Sequence, residues 1–176
     1  MRGEQLRTDQ RRRSLGRTYL MGAGLVILTM LTVLVGPSRP VQAAPDAEEW
    51  TFLAIINVYR EHNGLGPLMI SPRLIASAEW MSQDLASKSY FAHNDSLGRN
   101  PFQRIDAFGY SYNAWKGENL AAGNAGAQAA FDQWRYSPGH NANMLNPNYE
   151  VIGVARAQGG AYGWYWATNF GGYDDR

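Results

Sequence analysis

Apolar residues recur with helical spacing in four stretches of the chain beyond residue 47. They predict helices over 48–63, 71–89, 100–108 and 125–136. Two of these helices begin with a start signal, Ser71-Pro72 and Asn100-Pro101, in which a capping side chain precedes a proline at the first helical position. After the last of them, Ser137-Pro138 predicts a short helical turn that runs toward Leu145.

The C-terminal part of the chain changes to strand character. Residues 149–158 and 162–170 are rich in β-branched and aromatic residues, and the Gly159-Gly160 pair between them is a hairpin signal. Residues 110–120 alternate only loosely, and they predict irregular chain with one strand near Glu118. Helices followed by an antiparallel hairpin indicate an α+β fold, with the helices packed on the sheet.

The first 43 residues have the three-part pattern of a secretory signal. A basic region is followed by an apolar core over about residues 19–35, and small residues follow at Val41-Gln42-Ala43-Ala44. Cleavage near Ala43 would leave a short linker, 44–49, and one domain, 50–173.

The apolar core also leaves a second interpretation open. It is long for a cleaved signal and short for a full membrane span, so residues 1–43 could remain as a signal anchor. Arg12-Arg13 leaves a twin-arginine export route open as well. In either case we expect the domain to be secreted or held on the outer face of the membrane, with membrane contact only through this segment if it is uncleaved.

Charge separates the two parts of the chain. Residues 1–44 contain seven arginines and two acidic residues, a net charge of +5, whereas residues 45–176 carry nine basic and thirteen acidic residues, a net charge of −4. An acidic domain argues against nucleic-acid binding, which needs clustered cations to neutralise phosphates. The chain has no cysteine, so neither disulfides nor a lipidated cysteine can hold or anchor it.

Three residues in short aromatic or turn-forming motifs are the candidates for chemistry: His93, Glu118 and His140. Imidazoles and a carboxylate in such settings are common in metal and acid–base sites. Glu118 follows a glycine and lies near apolar residues, which predicts partial burial and therefore a need for hydrogen-bond or charge partners. His140 falls in the first turn of the predicted short helix, where the partial positive charge favours neutral imidazole.

Each candidate also has a structural interpretation. Glu118 could accept backbone hydrogen bonds from a loop, and Ser137 could cap the turn that carries His140. A Ser137, His140 and Glu118 triad is conceivable, but a serine used in capping is a poor nucleophile. The remaining histidine, His62, lies at the polar end of the first helix, where no functional role is expected.

The order and flanks of these motifs resemble a known family. The motifs that carry the resemblance include Asn57-Val58-Tyr59-Arg60, Tyr90-Phe91-Ala92-His93, Gly117-Glu118-Asn119, Ser137-Pro138-Gly139-His140, Asn143-Met144-Leu145-Asn146-Pro147 and Tyr165-Trp166. Together they resemble the CAP superfamily (cysteine-rich secretory, antigen 5 and pathogenesis-related proteins; SCP domain) in its bacterial, cysteine-free form. The similarity covers about residues 52–171.

The resemblance implies a three-layer α-β-α sandwich, closed by the C-terminal antiparallel hairpin, with a wide cleft. In the family that cleft displays two His and two Glu, which can hold a divalent ion such as zinc. Three of them correspond to His93, Glu118 and His140. The second Glu, which follows a Trp in animal and plant members, is missing here, where the chain reads Trp134-Arg135-Tyr136-Ser137. An ion would therefore have at most three protein ligands plus water.

The resemblance leaves three functional hypotheses. The leading one is a binding module whose cleft residues, His93, Glu118, Asn119, Ser137 and His140, hold a small ligand, a lipid or a cell-envelope component. A divalent metal would be bound by His93 and His140. The alternative is a metal-dependent hydrolase, with Glu118 and His140 as the catalytic candidates. In the third, the His/Glu set is purely structural.

Overall fold

The computed structural model describes residues 44–176, which form five helices around a four-stranded sheet. The helices are α1 (Ala47–His62), α2 (Pro72–Lys88), α3 (Pro101–Ala107), α4 (Ala127–Arg135) and α5 (Pro138–Met144). The strands are β1 (Met69–Ile70), β2 (Lys116–Ala122), β3 (Val151–Gly159) and β4 (Gly163–Gly171). Within residues 44–176, none of the helices is long and apolar enough to cross a membrane. The predicted signal segment, 1–43, lies outside the described residues.

The predicted helix starts are confirmed by their caps. Ser71 accepts a hydrogen bond from Leu74 N at 3.2 Å, and Asn100 accepts one from Gln103 N at 2.9 Å. At the first helix, Asp46 accepts hydrogen bonds from the backbone N–H groups of Glu48 and Glu49. Because this cap satisfies the orphan donors of the first turn, α1 begins at Ala47. The predicted linker, 44–49, is therefore too long at its C-terminal end.

The sheet is mixed and has the strand order β1-β3-β4-β2. β3 and β4 form the predicted antiparallel hairpin, and β2 pairs antiparallel with β4. The two-residue β1, which the hydrophobic pattern did not predict, runs parallel to β3. β2 lies at one edge of the sheet, and this position decides where the candidate residues meet.

Helices cover both faces of the sheet, so the three-layer arrangement is confirmed. On one face α1 and α4 pack on the sheet through a large apolar cluster that includes Phe52, Trp134 and Trp166. On the other face α2 packs through a second cluster that includes Met81 and Leu120. Since residues 44–176 contain these cores, a protein limited to those residues is expected to fold.

Alternation along β2 sends neighbouring residues into opposite layers. Leu120 belongs to the cluster under α2, whereas Ala121 belongs to the cluster under α1 and α4. By the same period of two, Glu118 faces the α2 layer and Asn119 faces the layer that contains α4 and α5. Two adjacent residues of one edge strand can therefore contact both helical layers.

Candidate functional site

Glu118 is almost fully buried, and its carboxylate is held by side chains from three other segments. Oε1 lies 2.8 Å from Nδ1 of His93, and Oε2 forms an ion pair with the fully buried guanidinium of Arg104, from α3. In the amide orientation that satisfies both of its polar atoms, Asn169 of β4 also donates to Oε2, at 3.2 Å. Three such donors offset the free-energy cost of burying the carboxylate.

His93 lies in the loop between α2 and α3, and 52% of its side chain is exposed. Because Glu118 is an acceptor, Nδ1 of His93 carries the proton toward it, and in the neutral ring Nε2 is left as an acceptor. This is the arrangement by which a carboxylate fixes the tautomer and the orientation of a histidine. Arg104 also donates to the backbone carbonyl of His93, at 3.2 Å.

Two aspartates fix the loop that carries His93. Asp84, on α2, accepts hydrogen bonds from Tyr90 Oη at 2.5 Å, from Ser96 N at 2.8 Å and from Ser96 Oγ at 2.6 Å. Asp95 accepts from the backbone N–H and from Nε of Arg99. The loop is therefore anchored on both sides of His93.

His140 lies in α5, which side-chain amides tie to β2. Asn119 donates from Nδ2 to the carbonyl of His140 at 3.0 Å. Asn143 donates to the Asn119 side chain at 2.9 Å and to the carbonyl of Glu118 at 3.2 Å. Burial lowers the pKa of His140, and the nearby His93 lowers it further. The expectation of a neutral ring is consistent with this direction, although burial is the main cause.

The two histidines are tied to neighbouring residues of β2, an edge strand of the sheet. His93 is held by Glu118, which faces the α2 layer, and His140 is held by Asn119, which faces the α5 layer. Within residues 44–176, Nδ1 of His140 is buried without a hydrogen-bond partner. Two consecutive residues of β2 therefore hold the imidazole of His93 and the backbone of His140.

A groove of about 390 Å³ is lined by His140 but not by His93. Its lining residues come from five segments: Phe91, Leu120, Ala121, Ala122, Gln133, Trp134, Ser137, His140 and Tyr162. The rings of Phe91 and Tyr162 meet edge to face with centroids 6.2 Å apart, and both side chains are about half exposed. The groove thus combines aromatic walls with the polar groups of Gln133, Ser137 and His140.

The expected role of Ser137 is wrong in one respect. It occupies the N-cap position of α5, but its side chain makes no capping hydrogen bond, and it lines the groove instead. Its hydroxyl therefore belongs to the groove.

A three-ligand zinc site does not fit the arrangement of these residues. Among residues 44–176 there is no group of three or more His, Cys, Asp and Glu side chains arranged to hold a metal ion. Both carboxylate oxygens of Glu118 already accept hydrogen bonds, and the residue is only 6% exposed. Metal binding by His93 and His140 stays a prediction, with the imidazole nitrogens as the available donors.

Sequence reasoning missed the partners of Glu118. Asn169 follows Thr168 near the C-terminal end of the mainly apolar strand 164–170, and a polar residue on a buried face needs a partner. That signal could have revealed it. Arg104 lies in a short helix of mixed sequence, and nothing in its local pattern distinguishes it from an exposed arginine.

The sequence matches the cysteine-rich secretory protein family, CAP, over residues 53–170. The chain belongs to the CAP family. Its relatives include the uncharacterized protein YkwD of Bacillus subtilis, 36% identical over 124 residues, which are 70% of this chain and 47% of that protein. The uncharacterized membrane protein YlbC of the same species is 29% identical over 106 residues, which are 60% of this chain and 30% of that protein. The chain thus spans less than half the length of these relatives.

Solved structures share the CAP fold. An extracellular protein with an SCP domain from Bacillus anthracis has a TM-score of 0.63 at 25% identity, covering 77% of this chain and 44% of that one. An outer surface protein of Borrelia burgdorferi has a TM-score of 0.66 at 24% identity, covering 76% of this chain and all of that one. With no cysteine, this CAP domain is of the bacterial, cysteine-free type.

Proposed function

We propose that this CAP domain is an exported binding module, and that the groove along β2 holds a small, largely apolar ligand, such as a lipid or another cell-envelope component. The observation that carries the proposal is the groove itself, in which Phe91, Trp134 and Tyr162 form apolar walls beside the polar His140 and Ser137. Concave, mainly apolar sites with a few convergent polar groups are the usual form of small-ligand sites.

The contacts of Glu118 support binding over catalysis. A general base must have a free acceptor oxygen that reaches the substrate. Both oxygens of Glu118 are instead engaged by His93 and Arg104, and Glu118 is 6% exposed. Its role in the proposal is to orient His93. A metal-dependent hydrolase that uses Glu118 has no comparable observation in its favour.

Two structural relatives support an extracellular or surface location. One is an extracellular protein of Bacillus anthracis and the other an outer surface protein of Borrelia burgdorferi. A domain in that location would meet lipids, glycans and peptides of the cell envelope.

Binding can be tested with an uncharged apolar fluorophore, N-phenyl-1-naphthylamine, whose emission rises in an apolar site. We expect a saturable rise with residues 44–176. The variant Gln133→Trp places an indole across the groove, since Gln133 is exposed and bonds to Ala122 O. It should weaken probe binding by about tenfold or more, the loss of about 1.4 kcal/mol.

Gln128→Trp is the matched control, because Gln128 is an exposed glutamine of the same helix that does not line the groove. It should bind the probe like the unmodified protein. Equal binding by both tryptophan variants, or no saturable binding at all, would refute the groove as the ligand site. Zinc-dependent hydrolysis of p-nitrophenyl butyrate that disappears in His93→Ala and in His140→Ala would instead support the hydrolase.

A further inference from the structure

Within residues 44–176, β2 is an edge strand that pairs with β4 on one side and with no strand on the other. Gly123 N donates to Trp164 O at 2.9 Å, one residue beyond the Ala122–Tyr165 pair. In an antiparallel ladder, hydrogen-bonded and non-hydrogen-bonded pairs alternate. The backbone N–H and C=O groups of Ala122, Leu120 and Glu118 therefore all point away from β4, toward the free edge of the sheet.

Side chains from α4 and α5 occupy the carbonyls of this edge. Trp134 Nε1 donates to Leu120 O at 2.8 Å, and Gln133 Nε2 donates to Ala122 O at 3.1 Å. Asn143 Nδ2 donates to Glu118 O at 3.2 Å. These three bonds show, independently of the ladder, that the three carbonyls point toward the free edge. They also satisfy these carbonyls as acceptors.

The donors of the same edge are not covered. Among residues 44–176, neither the N–H of Leu120 nor that of Ala122 has a hydrogen-bond acceptor outside the ladder, and the register directs both away from the ladder. Leu120 is 3% exposed, and a buried backbone N–H without a partner is rare and costly. Of the outward N–H groups, those of Leu120 and Ala122 belong to residues that line the groove, and a ligand there would have to supply the acceptors.

The groove runs along this same edge. Leu120, Ala121 and Ala122 all line it, although the side chains of consecutive strand residues point to opposite faces. Three consecutive residues can line one groove only where it follows the edge of the strand and contacts its backbone. The outward donors of Leu120 and Ala122 are therefore at the floor of the groove.

We propose that the groove binds a short extended peptide, whose carbonyl oxygens at alternate residues accept hydrogen bonds from the N–H groups of Leu120 and Ala122. These donors are about 7 Å apart, the distance between alternate residues of an extended chain. A fatty acyl chain has acceptors only at one end and would match one donor. The aromatic walls at Phe91 and Tyr162 accommodate an apolar side chain of the peptide.

Backbone recognition of this kind extends a sheet at its free edge. Because side chains already donate to the edge carbonyls, the peptide is held mainly through its own acceptors. This inference rests on the proposed function of the groove and names its ligand class.

The test is a ¹H–¹⁵N NMR titration of residues 44–176 with the capped tripeptide acetyl-Leu-Ala-Leu-amide, and in parallel with decanoate. We expect the peptide to move the amide protons of Leu120 and Ala122 downfield and to slow their exchange with D₂O. The amides of Asn119 and Ala121, which point into the β2–β4 ladder, should already exchange slowly and should change little.

The variant Ala122→Pro provides a second measurement. Proline is tolerated on an edge strand where the missing N–H faces outward. This variant should keep a dispersed amide spectrum and lose about tenfold in peptide affinity, the value of one hydrogen bond. Ala121→Pro removes a ladder donor and should unfold the domain.

The outcomes separate the two proposals. Peptide binding with shifts at Leu120 and Ala122 supports the inference. Binding of decanoate but not of the peptide overturns the peptide assignment and leaves the groove as a ligand site. Peptide shifts confined to other residues, or full affinity in a folded Ala122→Pro, also overturn it. If neither probe nor the fluorophore binds, the proposed function fails.

Discussion

The side chain on which the site depends most is Glu118, and its role follows from its partners. His93, Arg104 and Asn169 come from three different segments, and all of them converge on one buried carboxylate. The sequence predicted a buried, partnered carboxylate but not its partners, because a buried ion pair between α3 and β2 leaves no local pattern. This is why the choice between a catalytic and a structural glutamate was open before the structure.

Arg104→Met should strongly destabilise the domain. It leaves the carboxylate of Glu118 buried without its counter-charge, which typically costs about 3–5 kcal/mol in the free energy of unfolding. The double variant Arg104→Met/Glu118→Gln should cost less than the sum of the single changes, since it removes both charges. Urea denaturation measures all three values. An additive double variant would contradict a direct pair.

His140 should make the domain less stable as the pH falls. Burial and the nearby His93 lower the pKa of His140 below its ordinary value of 6.5, so near and below that pH the unfolded chain takes up a proton more readily than the folded one. Stability is therefore lost as the pH falls through this range and is retained at neutral pH.

Thermal melts at pH 7.5 and 5.5 measure this loss. Between pH 7.5 and pH 5.5, the melting temperature of His140→Gln should fall less than that of the unmodified protein. His62→Gln is the control, because His62 is exposed at the end of α1. An equal fall in melting temperature in His140→Gln and in the unmodified protein would show that His140 does not contribute to the pH dependence of stability.

At the level of elements, local sequence signals were sufficient to predict a helix or a hairpin where a cap or a turn defines its boundary. Ser71, Asn100 and the Gly159-Gly160 turn predicted α2, α3 and the hairpin, and all three are present. β2 was predicted only as a strand near Glu118, because its two faces carry both polar and apolar residues. The free edge of β2 depends on pairing with β4, which the sequence pattern does not encode.

The loop of His93 should loosen when Asp84 is changed. Lys88, Ser96 and Tyr90 donate to this carboxylate, and these bonds lower the pKa of Asp84 to about 2 although burial opposes them. Its contribution to stability is present above the ordinary value of 3.8 and is lost as the pH falls toward about 2.

Asp84→Asn should lower the free energy of unfolding by about 2 kcal/mol at neutral pH, because charge-assisted hydrogen bonds are lost. Amide exchange in residues 89–100 should also accelerate. Asp132→Asn is the control, since among residues 44–176 the side chain of Asp132 accepts a hydrogen bond only from Gln128. Unchanged exchange at residues 89–100 would contradict the anchoring role.

The packing of α2 on β3 should depend on Gly153. A Cβ at this position would collide with the backbone of Leu74 and Ile75, at the start of α2. Gly153→Ala is therefore expected to destabilise the domain by about 3 kcal/mol, as overpacking of a rigid contact does. Gly66→Ala, where a Cβ meets nothing within 4 Å, should be nearly neutral. Similar melting temperatures for both variants would contradict the close contact.

At the scale of the whole molecule, the three layers explain why the site lies at an edge. β2 is the outer strand, so residues from the α2 side and from the α4–α5 side can meet around it. The resemblance to the CAP family predicted this layered fold and the set of His93, Glu118 and His140. It also predicted a cleft that includes Ser137 and His140, but not the rest of the lining of the groove, which comes from segments that only the folded chain brings together.

The most direct test of the groove as the binding site is a ¹H–¹⁵N NMR titration of residues 44–176 with N-phenyl-1-naphthylamine. We expect saturable shifts at Ala121, Gln133 and Ser137, which line the groove. A second, wider concavity of about 610 Å³ is lined by Phe102, Tyr112 and Trp115 among others, and it serves as the internal comparison. Shifts confined to Phe102 and Trp115, or no saturable shifts, would contradict the assignment of ligand binding to the edge of β2.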